Sequence, residues 1–497
     1  MTVSHWIDGS SVPNDGPSQP ILDPSTGRQI GEVALADARV VDLAVTRAVA
    51  AQRSWREASL AKRMEVMYAF RQLLVENTDE LARIISREHG KTVSDAAGEI
   101  ARGRESVEFA CNIAAHLKGD YTSNASSGVD VYSIRQPLGV VAGITPFNFP
   151  AMVPMWMHPI AIAVGNAFVL KPSERDPSAS NYVADLYRRA GLPDGVFQVV
   201  HGGKEAVDAL LTHPLVAAVS FVGSTPIARY VQQTAIGAGK RVQALGGANN
   251  HAVVMPDADM AFAASQIAAG AFGSAGERCM AVPVAVAVGG AGDALIAALR
   301  QEAEAIVVGP GDQAATTMGP VITAASKQRV VDFIDEAVAG GAEAVVDGRG
   351  LVVAGHEDGF FVGPTVLRGV APTMRAYCDE VFGPLLVVME VETLADAIAL
   401  INSGPYGNGT AIFTSSGEAA RVFTERIEVG MVGVNVPIPV PVGYYSFGGW
   451  KSSLFGDHHA HGPEGVRFYT RAKAITTRWP HQEQRSVSAS LDFPGHS

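Results

Sequence analysis

Apolar residues recur at helical spacing near the start of the chain. In "DARVVDLAVTRAVAAQRSW", four of them fall at i, i+3, i+4 and i+7: Val41, Ala44, Val45 and Ala48. Residues at this spacing share one face of a helix, which can then pack against a core. The same pattern continues and predicts successive amphipathic helices over residues 37–118.

After residue 118 the pattern changes, because short Val-rich runs begin to alternate with helical segments. One set runs from "YSIRQPLGVVAGI" to "RVQALGG", and a second runs from "NHAVVMPDADM" to "PLLVVMEVETLADAIALI". Strand and helix in alternation imply right-handed crossovers and parallel sheets covered on both faces. We therefore expect an α/β fold with two doubly wound domains, whose ligands bind at the carboxyl ends of the strands. The late segment "GVRFYTRAKAITTRW" alternates like a separate strand.

Residues 136–170 contain no Lys, Arg, Asp or Glu, which on length alone would allow a membrane span. Five prolines interrupt any continuous helix there: Pro137, Pro146, Pro150, Pro154 and Pro159. A proline inside a helix removes a hydrogen bond and clashes with the preceding turn. The segment is therefore predicted to be a buried strand, a loop, a helix and a second strand, with no membrane partner.

The composition supports a compact, turn-rich protein. The 497 residues allow two or three folding units, and 47% are hydrophobic against 18% charged. A net charge of −12, with no run of Lys and Arg, repels phosphate backbones and disfavours a nucleic-acid partner. The start of the chain lacks a basic segment followed by an apolar one, so we expect no signal peptide.

Three cysteines, odd in number and far apart, indicate a reducing compartment and neither a disulfide framework nor a zinc site. Cys111 lies in a helical pattern and is predicted to be a packed thiol, while acidic neighbours should keep Cys378 unreactive. Cys279, in "GERCMA", follows an arginine, and a nearby cation favours a thiolate. This stretch alone leaves open whether Cys279 is a nucleophile or a small core residue.

Histidines cluster in "GDHHAHG" at His458, His459 and His461. Their spacing fits no tetrahedral pattern, and no cysteine lies near them in sequence. We therefore predict a surface loop and no metal site.

Two segments are candidates for binding a dinucleotide. In "SFVGSTPIARYV", Gly223 and Ser224 end an apolar strand and open a helix, whose first amides can hold a pyrophosphate. In "VLKPSE", Lys171 and Glu174 follow a strand and are either ribose or phosphate ligands or two solvated loop charges. If Glu174 meets the adenosine ribose, it repels a 2′-phosphate and favours NAD over NADP.

Two further motifs combine aromatic and polar side chains. "TPFNFP" places Asn148 after Phe147, where the amide either donates to an oxyanion or caps a turn. "EVFGPL" places Glu380 and Phe382 before a Gly-Pro turn, where an exposed acid is the simpler interpretation. "VAVAVGGAGDALIAAL" has Leu295 in place of the third fingerprint glycine and is predicted to be a plain strand-to-helix turn.

Taken in order, "TPFNFP", "KPSE", "FVGST", "GERC", "EVFGP" and "SFGGWKSS" resemble the signatures of the NAD-dependent aldehyde dehydrogenase superfamily. The resemblance implies that Cys279 is the nucleophile and that Asn148 and the Cys279 amide form the oxyanion hole. It also implies a set of NAD-contacting residues: Phe147, Lys171, Glu174, Gly223, Ser224, Glu380 and Phe382.

The resemblance further implies an aldehyde dehydrogenase-like domain plan with a small β oligomerisation arm, in a homotetramer or homodimer. The boundaries are 1–118 and 138–246 for the NAD-binding domain, 247–462 for the catalytic domain, 119–137 and 463–480 for the arm, and 481–497 for a C-terminal tail. The expected location is the cytoplasm, or the mitochondrial matrix in a eukaryote.

One departure from the family changes the expected chemistry. Members that hydrolyse their product carry a water-activating Glu in an "ELGGK"-like stretch, whereas the matching segment here is "QALGGANNH", with Ala244 and Leu245 at the relevant place. Water, with a pKa of about 15.7, needs a base to attack a thioester at neutral pH. A thiol with a pKa of about 8.5 is already partly ionised. The acyl group is therefore expected to pass to coenzyme A.

The same stretches are similar to the acylating methylmalonate-semialdehyde dehydrogenases. That resemblance implies oxidative decarboxylation of malonate or methylmalonate semialdehyde to acetyl- or propionyl-CoA, in valine or inositol catabolism. Arg102 and Arg278 match the arginines that hold the substrate carboxylate, a task suited to a planar guanidinium. Asn249 stands where many members have Lys. The alternatives are a hydrolytic enzyme acting on another small aldehyde and a catalytically silent homologue.

Overall fold

A computed structural model describes residues 2–13 and 16–479, so the expected tail over residues 481–497 lies outside the described part. Strands and helices are numbered in chain order. The strands are β1 (Thr2–Val3), β2 (His5–Ile7), β3 (Ser10–Val12), β4 (Ser18–Asp23), β5 (Arg28–Ala34), β6 (Tyr121–Ser126), β7 (Val129–Pro137), β8 (Val140–Ile144), β9 (Ala167–Lys171), β10 (Phe197–Val199), β11 (Val216–Val222), β12 (Arg241–Leu245), β13 (His251–Val254), β14 (Val284–Val288), β15 (Glu343–Val346), β16 (Thr365–Arg368), β17 (Leu385–Val391), β18 (Tyr406–Gly407), β19 (Gly409–Phe413), β20 (Met431–Val434), β21 (Trp450–Lys451), β22 (Leu454–Phe455) and β23 (Thr470–Arg478).

The helices are α1 (Ala38–Glu57), α2 (Leu60–Glu76), α3 (Thr78–His89), α4 (Val93–Cys111), α5 (Ile113–His116), α6 (Met152–Ala163), α7 (Ser178–Arg189), α8 (Lys204–Thr212), α9 (Thr225–Gly237), α10 (Met260–Phe272), α11 (Gly292–Glu304), α12 (Ala324–Ala339), α13 (Arg375–Cys378), α14 (Leu394–Ser403), α15 (Gly417–Arg426) and α16 (Gly462–Phe468). A short 3₁₀ turn covers Gly273–Gly276. The predicted run of helices over residues 37–118 is confirmed as α1 to α5.

The first large sheet has the strand order β22-β12-β11-β8-β9-β10-β2-β3, and its five central strands are parallel. The chain leaves β8 on one side to form β9 and β10, then returns to the other side to form β11 and β12. The register sets Ile144 of β8 beside Lys171 of β9 and Phe221 of β11. The loops that follow these three strands therefore emerge together at one edge, around a topological switch point.

The second large sheet has the order β15-β16-β17-β14-β13-β19-β20, parallel except for the edge strand β15. Separate apolar clusters cover the two faces of each large sheet. On β9, Phe168 and Leu170 join one cluster, while Ala167 and Val169 join the other. Burial on both faces explains why such strands read as continuous apolar runs.

The uncharged stretch before Lys171 forms the predicted strand, loop, helix and strand: β8, the 145–151 loop, α6 and β9. Every residue of α6 is buried, and the helix contains Pro159. Within residues 2–13 and 16–479, no helix combines the length and apolarity needed to cross a bilayer.

Three small sheets accompany the large ones in the described part of the chain, and the smallest pairs β18 with β21. Strands β6, β7 and β23 form an antiparallel sheet, in which β7 and β23 pair along their full length from Val129 opposite Arg478 to Pro137 opposite Thr470. Near the start of the chain, β1, β5 and β4 form another small sheet, while β2 and β3 extend the first large sheet. These strands before residue 37 were not predicted from the sequence.

The structure corrects two expectations near the C-terminal end. The segment "GVRFYTRAKAITTRW" is a strand only from Thr470, because Gly462 and Pro463 open the helix α16. Val466 and Phe468 alternate in sequence but are both buried against the first core. The boundary of 247–462 also does not hold for Leu454–Phe455, which pairs with β12 of the first sheet.

Candidate active site

A cavity of about 590 Å³ lies at the carboxyl ends of β8, β9 and β11, facing the segments that precede β14 and β17. It brings together the predicted nucleophile, oxyanion and cofactor residues: Cys279, Asn148, Phe147, Lys171, Glu174, Gly223, Ser224, Glu380 and Phe382. These residues lie far apart in the sequence, so the parallel topology unites them. A second, very small cavity adjoins Cys279, Glu380 and Arg278.

The backbone around Cys279 is held tightly. Ser274 and Ala275 adopt left-handed conformations with φ of 53° and 51°, and Gly276 follows with φ of 72°. A side chain at Gly276 would collide with the carbonyl of Gly383, so glycine allows the two loops to meet. The carbonyl of Cys279 accepts hydrogen bonds from the side-chain amides of Asn250 at 3.0 Å and Asn408 at 3.1 Å.

Glu277, two residues before the cysteine, fixes this loop to the segment that leads into α12. Its fully buried carboxyl group accepts hydrogen bonds from the amide of Ile322 at 3.3 and 3.2 Å. Burial raises the pKa of Glu277 to about 8, against the opposing effects of that amide and the charge of Arg329. The "GERC" motif therefore combines a structural carboxyl group with the candidate nucleophile.

The thiol of Cys279 is not a preformed thiolate in the free protein. Burial raises its pKa to about 12, and the negative charge of Glu380 acts in the same direction. The charge of Arg278 acts in the opposite direction and is outweighed. Arg278 turns towards Asp95, with Nη2 and Oδ1 2.5 Å apart, so adjacency in sequence does not activate the thiol.

Lys171 and Glu174 are not two solvated loop charges, because Lys171 is buried and its Nζ lies 3.0 Å from Glu174 Oε2. Burial of Glu174 opposes its ionisation, but the charge and hydrogen bond of Lys171 outweigh it and lower the pKa. Nearby, Ser224 is the N-cap of α9, which directs unpaired amides of its first turn to the same cavity. A fixed carboxylate and a helix start are the groups that hold a ribose and a pyrophosphate.

Aromatic rings border the centre of the cavity. The rings of Phe147 and Phe382 meet edge to face with centroids 5.9 Å apart, and the guanidinium of Arg175 lies 5.2 Å from the Phe147 centroid. Asn148, which follows Phe147, also lines the cavity and is only 3% exposed. A polar side chain buried beside a cavity suits a donor that meets a bound ligand.

Glu380 brings a carboxyl group into the cavity of Cys279, although its motif alone favoured an exposed acid. Ala244 and Leu245 are indeed buried apolar residues of β12, yet Glu380 lines the same cavity as Cys279. Its Oε1 accepts the amide of Ala248 at 3.1 Å, and burial raises its pKa to about 7. Gly247 makes room for this carboxyl group, since a Cβ there would lie 2.5 Å from Oε2.

Only one of the two predicted substrate arginines lies beside the cysteine. Arg278 lines the small cavity, and Gly273 leaves space for its guanidinium, since a Cβ there would lie 2.5 Å from Nη1. Arg102 lies outside both cavities on α4, where it binds Glu105 at 2.6 Å. Its Nη2 also donates to the carbonyls of residues 440 and 441, each at 3.0 Å.

The start of α12 also lines the cavity, although no residue of it was predicted to belong to the site. Thr323 caps this helix by accepting the amide of Ser326 at 3.0 Å, and both residues face the cavity with Arg329. Arg329 Nη2 donates to the carbonyl of Val381 at 3.1 Å, which ties the helix to the Glu380 loop. A Thr before a helical pattern is a sequence signal for a helix cap. Its position in the same cavity wall as the end of β9 depends on tertiary packing, which the sequence does not show.

The remaining motifs lie apart from the cysteine. His461 is buried against Trp156 with ring centroids 5.6 Å apart, so the predicted surface loop is wrong for that residue. His458 pairs with Glu464 at 3.2 Å. Among the described residues, no group of three or more His, Cys, Asp or Glu side chains is placed to hold a metal ion. Cys111 is buried, and burial raises its pKa to about 12, whereas Cys378 is exposed.

Comparison with known proteins places the chain among relatives of similar length. Residues 11–475 match the aldehyde dehydrogenase family. The chain is 56% identical to a malonate-semialdehyde dehydrogenase of Pseudomonas aeruginosa, over 99% of each chain. It is 46% identical to malonate-semialdehyde dehydrogenase 2 of Geobacillus kaustophilus, over 96% of this chain and 99% of that protein.

Solved structures agree with this placement. A protein of Sinorhizobium meliloti described as a methylmalonate-semialdehyde dehydrogenase, crystallised with NAD, superposes with a TM-score of 0.96 at 51% identity, covering 97% of this chain and 98% of that one. The methylmalonate-semialdehyde dehydrogenase DddC of Oceanimonas doudoroffii gives a TM-score of 0.96 at 54% identity, over 98% and 100%.

The Glu380 charge predicts how the free thiol reacts. At about pH 8 the Glu380 carboxylate, with its pKa near 7, is ionised and disfavours a negative charge on Cys279. Glu380→Gln should therefore lower the thiol pKa and speed alkylation of Cys279 by iodoacetamide about three- to tenfold without cofactor. Peptide mapping by mass spectrometry separates this thiol from the exposed Cys378. Asp379→Asn, an exposed neighbour paired with Arg375, should leave the rate unchanged, and an unaltered rate in Glu380→Gln would contradict the assignment.

Proposed function

The chain belongs to the aldehyde dehydrogenase family, and on this premise we propose that it oxidises malonate or methylmalonate semialdehyde with NAD and transfers the acyl product to coenzyme A. The observation that carries the proposal is the single cavity that unites Cys279 and Asn148 with the residues suited to a dinucleotide. The names of relatives at 46 to 56% identity support the substrate class.

In the first step, the Cys279 thiol gives up its proton, for which the Glu380 carboxylate of the same cavity is the available acceptor, and the sulfur attacks the aldehyde carbon. The side-chain amide of Asn148 and the backbone amide of Cys279 receive the resulting oxyanion, a contribution that stabilises the transition state because the donors are already in place. NAD held in this cavity would supply the hydride acceptor that converts this adduct into a thioester on Cys279. The α9 start, Gly223 and the Lys171–Glu174 pair would hold its phosphates and adenosine ribose, and the ionised Glu174 opposes a 2′-phosphate.

In the second step, a thiol takes the acyl group. Ala244 and Leu245 offer no base for water, and the Oε1 atom of Glu380 is engaged by the amide of Ala248. Coenzyme A ionises far more readily than water and needs less assistance. The alternative, hydrolysis, has one observation in its favour: Glu380 shares the cavity with Cys279 and has a pKa of about 7, suited to a general base. Turnover without coenzyme A distinguishes the two.

Arg278 is proposed to recognise the substrate carboxylate, and the family resemblance alone extends this proposal to Arg102, which lies outside both cavities. Arg278 borders the small cavity beside the cysteine. In the free protein, its hydrogen bond to Asp95 uses only the Nη2 atom. A guanidinium carries five donors, so it can bind a second carboxylate while keeping the first. In the thioester the carboxylate lies β to the acyl carbonyl, so the oxyanion donors would also hold the charge that develops as carbon dioxide leaves.

The antiparallel sheet of β6, β7 and β23 is proposed as an oligomerisation arm. Most residues of β6 and β23 are exposed, and Tyr121 at the start of β6 and Trp479 after β23 are 64% and 80% exposed. Light scattering should give two or four times the chain mass, and a monomer at micromolar concentration would contradict the arm. A cytoplasmic or mitochondrial location and a role in valine or inositol catabolism stay predictions.

The order of acyl transfer predicts the time course of NADH. Mixing the protein with NAD and malonate semialdehyde in a stopped-flow instrument should give a burst of roughly one NADH per subunit, which then stalls until coenzyme A is added. Mass spectrometry should identify acetyl-CoA as the product. Sustained turnover without coenzyme A, with release of the free acid, would favour the hydrolytic alternative.

Charge recognition predicts a difference between aldehydes. Arg278→Met and Arg102→Met should each raise KM for malonate semialdehyde about 10- to 100-fold, since a hydrogen bond to a charged group contributes about 1.5–3 kcal/mol. Propanal lacks the carboxylate, so its kcat/KM should change much less. Arg104→Met removes a neighbouring arginine of α4 that pairs with Glu108 at 3.3 Å, and it serves as the control. Equal losses on both aldehydes would remove the arginines from carboxylate recognition.

A further inference from the structure

An ion pair sealed from solvent lies behind Asn148. Lys91, in the loop between α3 and α4, places its Nζ 2.6 Å from Oε2 of Glu99 on α4. The two side chains are 0% and 1% exposed. Removing two charges from water is costly, and buried pairs can often be replaced by apolar residues without loss of stability. Stability alone therefore does not account for this pair.

Both members of the pair also bind the segment that carries Asn148. Lys91 Nζ donates to the backbone carbonyl of Asn148 at 2.6 Å, and Glu99 Oε1 accepts the amides of Ala151 at 2.9 Å and Met152 at 3.2 Å. The ammonium also lies 4.4 Å from the ring centroid of Phe149. The segment from 148 to 152 is thus held at its first carbonyl and at the two amides that lead into α6.

The lysine is itself anchored. Its carbonyl accepts the hydroxyl of Ser86 at 2.7 Å, and the preceding Gly90 has φ of 94°, a conformation that favours glycine. Gly311 and Gly319 pack against the carbonyls of this loop so closely that a Cβ on either would collide with them. The ammonium therefore has little freedom to move away from Asn148.

We propose that Lys91 and Glu99 are positioning residues, which hold the Asn148 amide where the aldehyde oxygen becomes an oxyanion. This inference rests on the proposed function, because it takes Asn148 as an oxyanion donor. Such donors act only when they lie about 2.7–3.1 Å from the developing charge, and a displacement of about 1 Å can reduce the rate about 100-fold. A polar clamp of this kind supplies position, which an apolar pair of equal volume would not.

A double-mutant cycle on the NADH burst rate tests the proposal. Asn148→Ala should slow the burst about 100- to 1000-fold, the loss typical of one oxyanion donor. Lys91→Met should slow it about 10- to 100-fold in the parent, but less than about threefold in the Asn148→Ala background. Such coupling is expected only if Lys91 acts through Asn148. The proposal would be overturned if the rate losses of the two single variants multiply in the double variant, or if Lys91→Met leaves the burst rate unchanged.

Lys240→Met is the matched control. Lys240 is also a buried lysine whose ammonium binds backbone carbonyls, those of His213 and Val216, but it lies before β12, at the end of the sheet away from the cavity. Its replacement should lower Tm and leave the burst within about twofold of the parent.

If Lys91→Met does not fold, Glu99→Gln completes the same cycle with Asn148→Ala. This substitution keeps the shape of the side chain and removes its charge, so the lysine is left without its counter-ion. If the parent enzyme shows no burst, the proposed function is contradicted. If the parent is normal and Asn148→Ala is impaired, but the Lys91 and Glu99 variants show no coupling to Asn148, only this inference is contradicted.

Discussion

The arrangement of the molecule depends on where parallel strands end. β9 and β11 lie on opposite sides of β8, so the loops after these three strands emerge at the same edge of the sheet. A crevice that the flanking helices do not close is left between the loops at that edge. Asn148, Lys171 and Gly223 each lie at the end of one of those strands or in the loop after it. The second sheet supplies Cys279 and Glu380 from loops that precede its own strands. The carboxyl ends of strands in the first sheet therefore face the amino ends of strands in the second sheet across the cavity.

Much of this was predictable from sequence, because the evidence is local. Apolar runs bounded by turns identified β8, β9, β11 and β14, and the order of short motifs picked out the proposed cofactor residues, which line one cavity. The positions at 244 and 245 were also informative, since a missing carboxylate is visible in the sequence.

What the sequence could not show are distances between segments far apart in the chain. Three such features are the effect of Glu380 on Cys279, the pairing of Arg278 with Asp95 and the place of Thr323 in the cavity wall. Each depends on how segments far apart in the chain pack together. The same limit explains α16, where burial of Val466 and Phe468 imitates the alternation of a strand. Charges near the thiol are a further example, since the arginine adjacent in sequence is outweighed by a glutamate that is distant in sequence.

The pairing of Leu454–Phe455 with β12 has a mechanical consequence. The chain passes from the first sheet to the second through residues 246–250 and returns to the first sheet at β22, so the two halves are tied twice. A wide hinge opening would have to separate β22 from β12 and lose ladder hydrogen bonds. The pairing therefore opposes a wide separation of the two halves and favours entry of a dinucleotide through smaller rearrangements of the loops.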